Sequence, residues 1–188
     1  MDPLTLDVPE ELTTDRLILR APREGDAAEI NAAIHESIEA LKPWMPWATP
    51  VPTVEQTAAY SRRKWGEFVL REMLDYRIYL KDGGTYAGNL GLFKLDWKVR
   101  SAEIGYWLRS SLCGRGYMTE AVGSLTEMAM EVLNCRRVQI CMDDRNERSR
   151  HVAERLGFHL EGVLRRDSLA PDGSVRDTRV YAKIRDEK

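Results

Sequence analysis

Between residues 100 and 133 the chain passes from a strand pattern to a glycine pair and straight into a helix pattern. No other stretch limits its fold so tightly. "RSAEIGYWLRSS" (100–111) reads as a strand that ends near Arg109. "TEAVGSLTEMAMEVL" (119–133) sets Ala121, Val122, Leu125, Met128, Ala129, Val132 and Leu133 on one apolar face at helical spacing. Between them Gly114 and Gly116 flank Arg115. Glycine costs backbone entropy, so a pair around one residue serves either a tight turn or the close approach of backbone to something else. A strand, a glycine-rich loop and a helix opening at Thr119 form an anion site in physical terms. The first helical amides have no internal partner, and the dipole adds roughly 0.3–2 kcal/mol for an anion. On the residues alone, this cradle and a plain turn capped by Thr119 stand level. The nucleotide pattern GxxxxGK[ST] and the dinucleotide pattern GxGxxG are both absent.

The rest of the chain supplies more strands and helices. "DRLILRAP" (15–22) alternates as a half-buried strand. Residues 24–41 read as a helix, and "KPWMPWATPVPT" (42–53), with four prolines, as a loop. Thr53 is the expected N-cap of a second helix. Residues 76–81, 85–96 and 100–111 read as an antiparallel meander, with "DGG" (82–84) at its first turn. Residues 136–142 form a strand, 146–156 a helix that stops at Gly157, and 158–169 and 175–184 two further strands. The expected fold is one α/β domain, residues 1–188 with a core at about 14–184, around a mostly antiparallel sheet.

Composition narrows the function classes. A net charge of −2 argues against a dedicated nucleic-acid binder. No apolar run nears the roughly 18 residues a membrane helix needs, and the acidic start does not read as a secretory signal. Cys113, Cys135 and Cys141 form no CxxC pair, which points to reduced thiols and a cytoplasmic protein. His35, His151 and His159 lack metal-ligand spacing, so no metal is expected.

"AEIGYWLRSSLCGRGYMTEAV", followed by "NERSRHVAERLGFHLEGVLR", resembles the GNAT N-acetyltransferases, and within them the RimJ/RimL branch that acetylates protein N-termini. "TDRLILRAPREGDAAEI" and "LKPWMPWA" extend the resemblance over about Thr14 to Tyr181. It implies a GNAT fold: a twisted, mostly antiparallel sheet of about seven strands, about four helices and splayed central strands. It also implies acetyl-CoA as cosubstrate. The family loop reads Q/R-x-x-G-x-G/A. Here Cys113 stands where Gln or Arg is expected, and Met118 where a small residue is expected.

By this resemblance the loop Cys113, Gly114, Arg115, Gly116, Tyr117, Met118 and Thr119 cradles the CoA pyrophosphate. Tyr106, Trp107 and Leu108 give backbone to the pantetheine arm, and Asn146 contacts it. Ser149 is the residue bonded to the CoA sulfur, and a proton source for it. Glu103 is the first candidate base and Asp167 the second, both also placed at the acceptor. Trp44 and Trp47 are expected to line the acceptor groove, because aromatic rings bury large area and select shape. The acceptor implied is a protein N-terminal α-amine. A small-molecule amine and a non-catalytic acyl-CoA-binding module remain as alternatives. No direct nucleic-acid or membrane partner is expected, and a homodimer is left open.

Overall fold

The computed structural model describes residues 2–185. Its strands are β1 (Glu11–Thr13), β2 (Leu17–Arg20), β3 (Leu74–Leu80), β4 (Tyr86–Asp96), β5 (Ser101–Leu108), β6 (Arg137–Asp143), β7 (His159–Leu169) and β8 (Val175–Ile184). The α-helices are α1 (Ala27–Leu41), α2 (Val54–Val69), α3 (Tyr117–Glu131) and α4 (Glu147–Arg155). The strands make one sheet in the order β1-β2-β3-β4-β5-β6-β8-β7. The expected seven strands become eight, because Glu11–Thr13 pairs antiparallel with β2. Among the described residues no helix is long and apolar enough to cross a membrane.

The sheet is antiparallel except at its centre. There β5 and β6 run parallel and share only three residue pairs, Ser101 with Arg137, Ala102 with Val138 and Glu103 with Gln139. Beyond Glu103 the two strands part. β5 continues to Leu108 paired to β4 alone, and β6 to Asp143 paired to β8 alone. The edge of β5 from Ile104 to Leu108 therefore faces no strand. This is the splay that the family resemblance implied.

Alternation along the strands builds two cores. Tyr76, Ile78, Leu90, Leu92, Ala102, Ile104, Val138 and Ile140 pack under α3 and α4, against Ala121, Leu125, Ala129 and Val152. Tyr86 and Trp107 pack on the opposite face with Ile30, Ala33 and Ile34 of α1. Val132, expected on the buried face of α3, lies just past the helix end and is exposed. Thr53 caps α2 as expected, in a reciprocal box with Gln56.

Candidate active site

The glycine loop joins the open edge of β5 to α3, and it is held from two sides. Glu36 of α1 ion-pairs with Arg109 at 2.6 Å, and the Ser37 hydroxyl accepts from the Ser110 amide at 3.0 Å. From the other side, Arg16 donates to the Arg115 carbonyl at 3.0 Å and ion-pairs with Glu120 at 2.6 Å. Glu120 also accepts from the Thr14 hydroxyl at 2.6 Å and the Arg16 amide at 2.9 Å. Burial opposes the charge on Glu120, but these bonds hold its carboxyl below the usual range. The acid in the first turn of α3 is thus already neutralised by Arg16.

The helix starts earlier than expected. Its N-cap is Gly116 at φ 81°, not Thr119, and no side chain caps it. Gly114 lies at φ 78°. Both are left-handed conformations that L side chains adopt at a cost. The uncapped amides at the start of α3 are therefore left for an anion. Met118 does not crowd them. Its side chain is buried in the core beneath α3 while its residue still borders the groove.

A groove of about 480 Å³ runs through the splay. Tyr106, Trp107, Leu108, Cys113, Gly114, Gly116, Tyr117, Met118, Thr119, Asn146 and Ser149 all line it, and Arg115 does not. Arg148, His151 and Arg155 join them from α4. Positive φ glycines, free helical amides and arginines on one groove fit a phosphate-bearing ligand with a long thin arm. The Asn146 side chain accepts from the Ser149 amide at 3.2 Å, so Asn146 caps α4 as well as bordering the groove.

Tyr106 crosses the splay. Its hydroxyl lies 2.8 Å from Ser149 Oγ and donates to the Ser149 carbonyl at 3.3 Å. Burial pushes the phenol up to about 12, against the Ser149 hydrogen bond, so it stays protonated at neutral pH. Sequence reasoning used Tyr106 for its backbone and missed this hydroxyl pair. Its signal was the register that aims Tyr106, two residues past Ile104, at the α4 side of the sheet.

A second cavity, of about 420 Å³, lies over the opposite face of β3, β4 and β5. Ile30, Ile34, Trp47, Tyr60, Phe93 and Trp107 give it apolar walls, and Asp75, Asn89, Thr57 and Gln56 its polar points. The groove and the cavity share Met45, Gly105, Tyr106 and Trp107. They are therefore two approaches to the same stretch of β5.

The two loop tryptophans separate here. Trp47 lines the second cavity and tilts against Trp107 with ring centroids 5.9 Å apart, whereas Trp44 lines the groove. Neither carboxylate named as a base borders either space. Glu103 is 5% exposed, and its Oε2 accepts from Lys94 Nζ at 3.0 Å and Gln139 Nε2 at 2.8 Å. Asp167 is exposed on β7, in a bulge two strands beyond β6.

The carboxylate that does face the cavity is Asp75, which sequence reasoning missed. Its Oδ1 accepts from Arg77 Nη1 at 2.9 Å, and its Oδ2 from the Tyr60 hydroxyl at 3.3 Å. Arg77 is wholly buried; Ser61 Oγ lies 3.4 Å from its Nη2, and Nε has no partner. The Asn89 amide fits with its oxygen 2.6 Å from Arg77 Nη1 and its nitrogen toward the Tyr86 hydroxyl and the Gly88 carbonyl. Burial raises the Asp75 carboxyl despite Arg77 and Lys64 beside it.

Comparison with known proteins agrees with this geometry. The acetyltransferase (GNAT) domain family matches residues 16–159. The ribosomal N-acetyltransferase-like protein YdaF of Bacillus subtilis is 40% identical over 104 residues, which is 55% of this chain and 56% of that protein. The ribosomal-protein-serine acetyltransferase of Escherichia coli is 36% identical over 141 residues, 66% of this chain and 78% of that one. The ribosomal-protein α-N-acetyltransferase RimL, solved with coenzyme A, superposes with a TM-score of 0.86 at 25% identity, covering 94% and 97% of the two chains. The microcin self-immunity acetyltransferase MccE, solved with acetyl-CoA and AMP, gives a TM-score of 0.84 at 25% identity over 91% and 93%. With the splayed sheet and the glycine loop at its mouth, these matches make the chain a member of the GNAT acetyltransferase family, among relatives that are N-acetyltransferases using acetyl-CoA.

Proposed function

We propose that the protein transfers the acetyl group of acetyl-CoA to a primary amine, and that the amine is the α-amine of a peptide N-terminus. One observation carries the transfer. The groove in the splay and the cavity on the opposite face meet at Gly105, Tyr106 and Trp107, so a donor and an acceptor can approach β5 from opposite sides. Such an arrangement holds two reactants together without mixing their binding sites. Acetyl-CoA, when bound, supplies the thioester. The α3 amides and Arg148 and Arg155 hold its phosphates, and Ser149 and Asn146 stand beside its thiol end.

The residues then divide the proton work. The nitrogen must be neutral to attack, and it sheds a second proton as the amide forms. Tyr106 and Ser149, bonded to each other at the splay, are placed to pass one proton to the departing thiolate. Neither expected base stands beside the amine, since Glu103 is spent on Lys94 and Gln139 and Asp167 lies out on β7. That favours an α-amine, whose pKa of roughly 7.7–8.0 leaves part of it neutral near pH 7.5, over a lysine side chain at about 10.4.

Initial-rate release of thiol from acetyl-CoA against a panel of amines tests this. The panel holds N-terminal peptides of ribosomal proteins, blocked peptides with lysine as sole amine, and small amines, with mass spectrometry locating the product. Acetyl on a peptide α-amine is the expected result. Acetyl only on small amines would move the acceptor class, and binding of CoA with no turnover would leave a non-catalytic module.

A further inference from the structure

The face of the sheet beneath the second cavity holds a feature that acetyl transfer alone does not explain. Asp75, Gly91 and Gly105 are register partners in one row across β3, β4 and β5. A Cβ at Gly91 would meet the Leu74 carbonyl oxygen at 3.0 Å, and one at Gly105 the Phe93 ring at 2.7 Å. Neighbours thus crowd both glycines too closely for a side chain, and all three residues line the cavity, so the row floors a trough with a carboxylate at one end and the reacting strand at the other. Strand spacing puts those ends about 10 Å apart.

Asp75 is only half used by the protein. Arg77 fixes Oδ1, while Oδ2 has one long contact, the Tyr60 hydroxyl at 3.3 Å. It is the only acidic side chain lining the cavity among the described residues, and no basic side chain lines it. Lys64, the other nearby cation, is bonded to Glu67 at 2.6 Å and to the Met73 sulfur at 2.9 Å. Around the trough stand the rings of Trp47, Tyr60, Phe93 and Trp107. Aromatic faces and an open carboxylate oxygen together suit a cation.

We propose that Asp75 is an acceptor-positioning residue, and that the acceptor carries a second, protonated nitrogen which donates to Asp75 Oδ2 while its first nitrogen is acetylated at β5. The two nitrogens are separate groups, because one paired to a carboxylate about 10 Å from β5 is held away from the thioester. The ligand class is a chain bearing two cationic nitrogens. A diamine and a peptide that begins with a basic residue both have that chemistry. The inference rests on the cavity being the acceptor site.

The test compares matched acceptors by kcat/KM: 1,4-diaminobutane against butylamine, and a peptide beginning with lysine against one beginning with norleucine. The wild-type protein is expected to prefer the dication in one pair by roughly tenfold or more, the size of one hydrogen bond to a charged group. The pair that shows it identifies the source. Asp75→Asn is expected to bring that ratio close to one. Tyr60→Phe keeps the Arg77 pair and frees Oδ2, so its ratio stays at or above the wild-type value even where Asp75→Asn fails to fold. A wild-type ratio near one in both pairs, or an equal loss for both members of a pair in Asp75→Asn, overturns the proposal. Trp47→Ala separates the two readings: a higher KM for every amine supports the cavity as acceptor site, and unchanged KM values overturn that reading itself.

Discussion

Gly116 and Gly66 respond in opposite directions to the same added methyl group. Gly116 sits at φ 81°, and an alanine Cβ there would also lie 3.4 Å from Arg16 Nη2. The left-handed conformation costs an L residue roughly 1–2 kcal/mol. The arginine tip can move, so it adds little. Gly66, in the interior of α2, has open space around its would-be Cβ and no such conformation. Alanine is favoured there by about 0.5–1 kcal/mol. For a chain of this size each kcal/mol moves Tm by about 2–4 °C. Gly116→Ala is thus expected to lower Tm by about 2–8 °C, and Gly66→Ala to raise it by about 1–4 °C. Thermal unfolding without ligand reads both. The Gly116 variant also turns the first α3 amides from the groove as its backbone relaxes, so its KM for acetyl-CoA rises while that of the Gly66 variant does not. A Gly116→Ala protein as stable as wild type, with an unchanged KM, would refute the claim that this loop is held in a conformation only glycine takes cheaply.

Ser149→Ala is expected to lower kcat more than it raises the KM for acetyl-CoA, and equal losses in the two would count against a proton role. Thr53→Ala removes one half of the α2 capping box and is expected to cost about 1 kcal/mol in chemical denaturation; an unchanged midpoint would refute this. Glu120 has a folded-state pKa below its unfolded one, so its bonds add stability above the unfolded value of about 4.3 and lose it as pH falls through the folded value. The Tm gap between wild type and Glu120→Gln therefore narrows as pH falls from about 6 to about 3, and a gap that widens toward acid would show the sign to be wrong.

Much of the fold was legible because long periodic segments carry it. Apart from Val132, the apolar stripe of α3 is buried, and so are Val138, Ile140 and Met142 on one side of β6. β1 was not legible: three residues, Glu11 to Thr13, show no apolar period and become a strand only by pairing with β2. Asp75 and Arg77 were hidden for another reason. Alternation in "YRIYLK" (76–81) sets Tyr76, Ile78 and Leu80 on one face and leaves Arg77 on the other. Alternation says that two faces differ, not what covers each. Ser61, Tyr60 and Asn89 cover this one and make a buried ion pair of it. Trp44 and Trp47 fail as a pair because they lie in a proline-rich loop, where no period fixes direction. A turn of 3-10 helix from Pro46 to Ala48 sends them to different sides of β5.

The three residue pairs between β5 and β6 have a consequence for how the molecule comes apart. A continuous sheet unfolds as one unit because each strand is stitched to the next. Here the strands up to β5 and the β6-β8-β7 unit are joined by a short seam and by the helices that lie across it. Without ligand, the amides of Ile104 to Leu108 that face the gap should exchange hydrogen with solvent far faster than those bonded to β4. A donor arm lying along that edge would act as the missing strand. Its binding would slow exchange there and on the gap side of β6, merging two cooperative units into one.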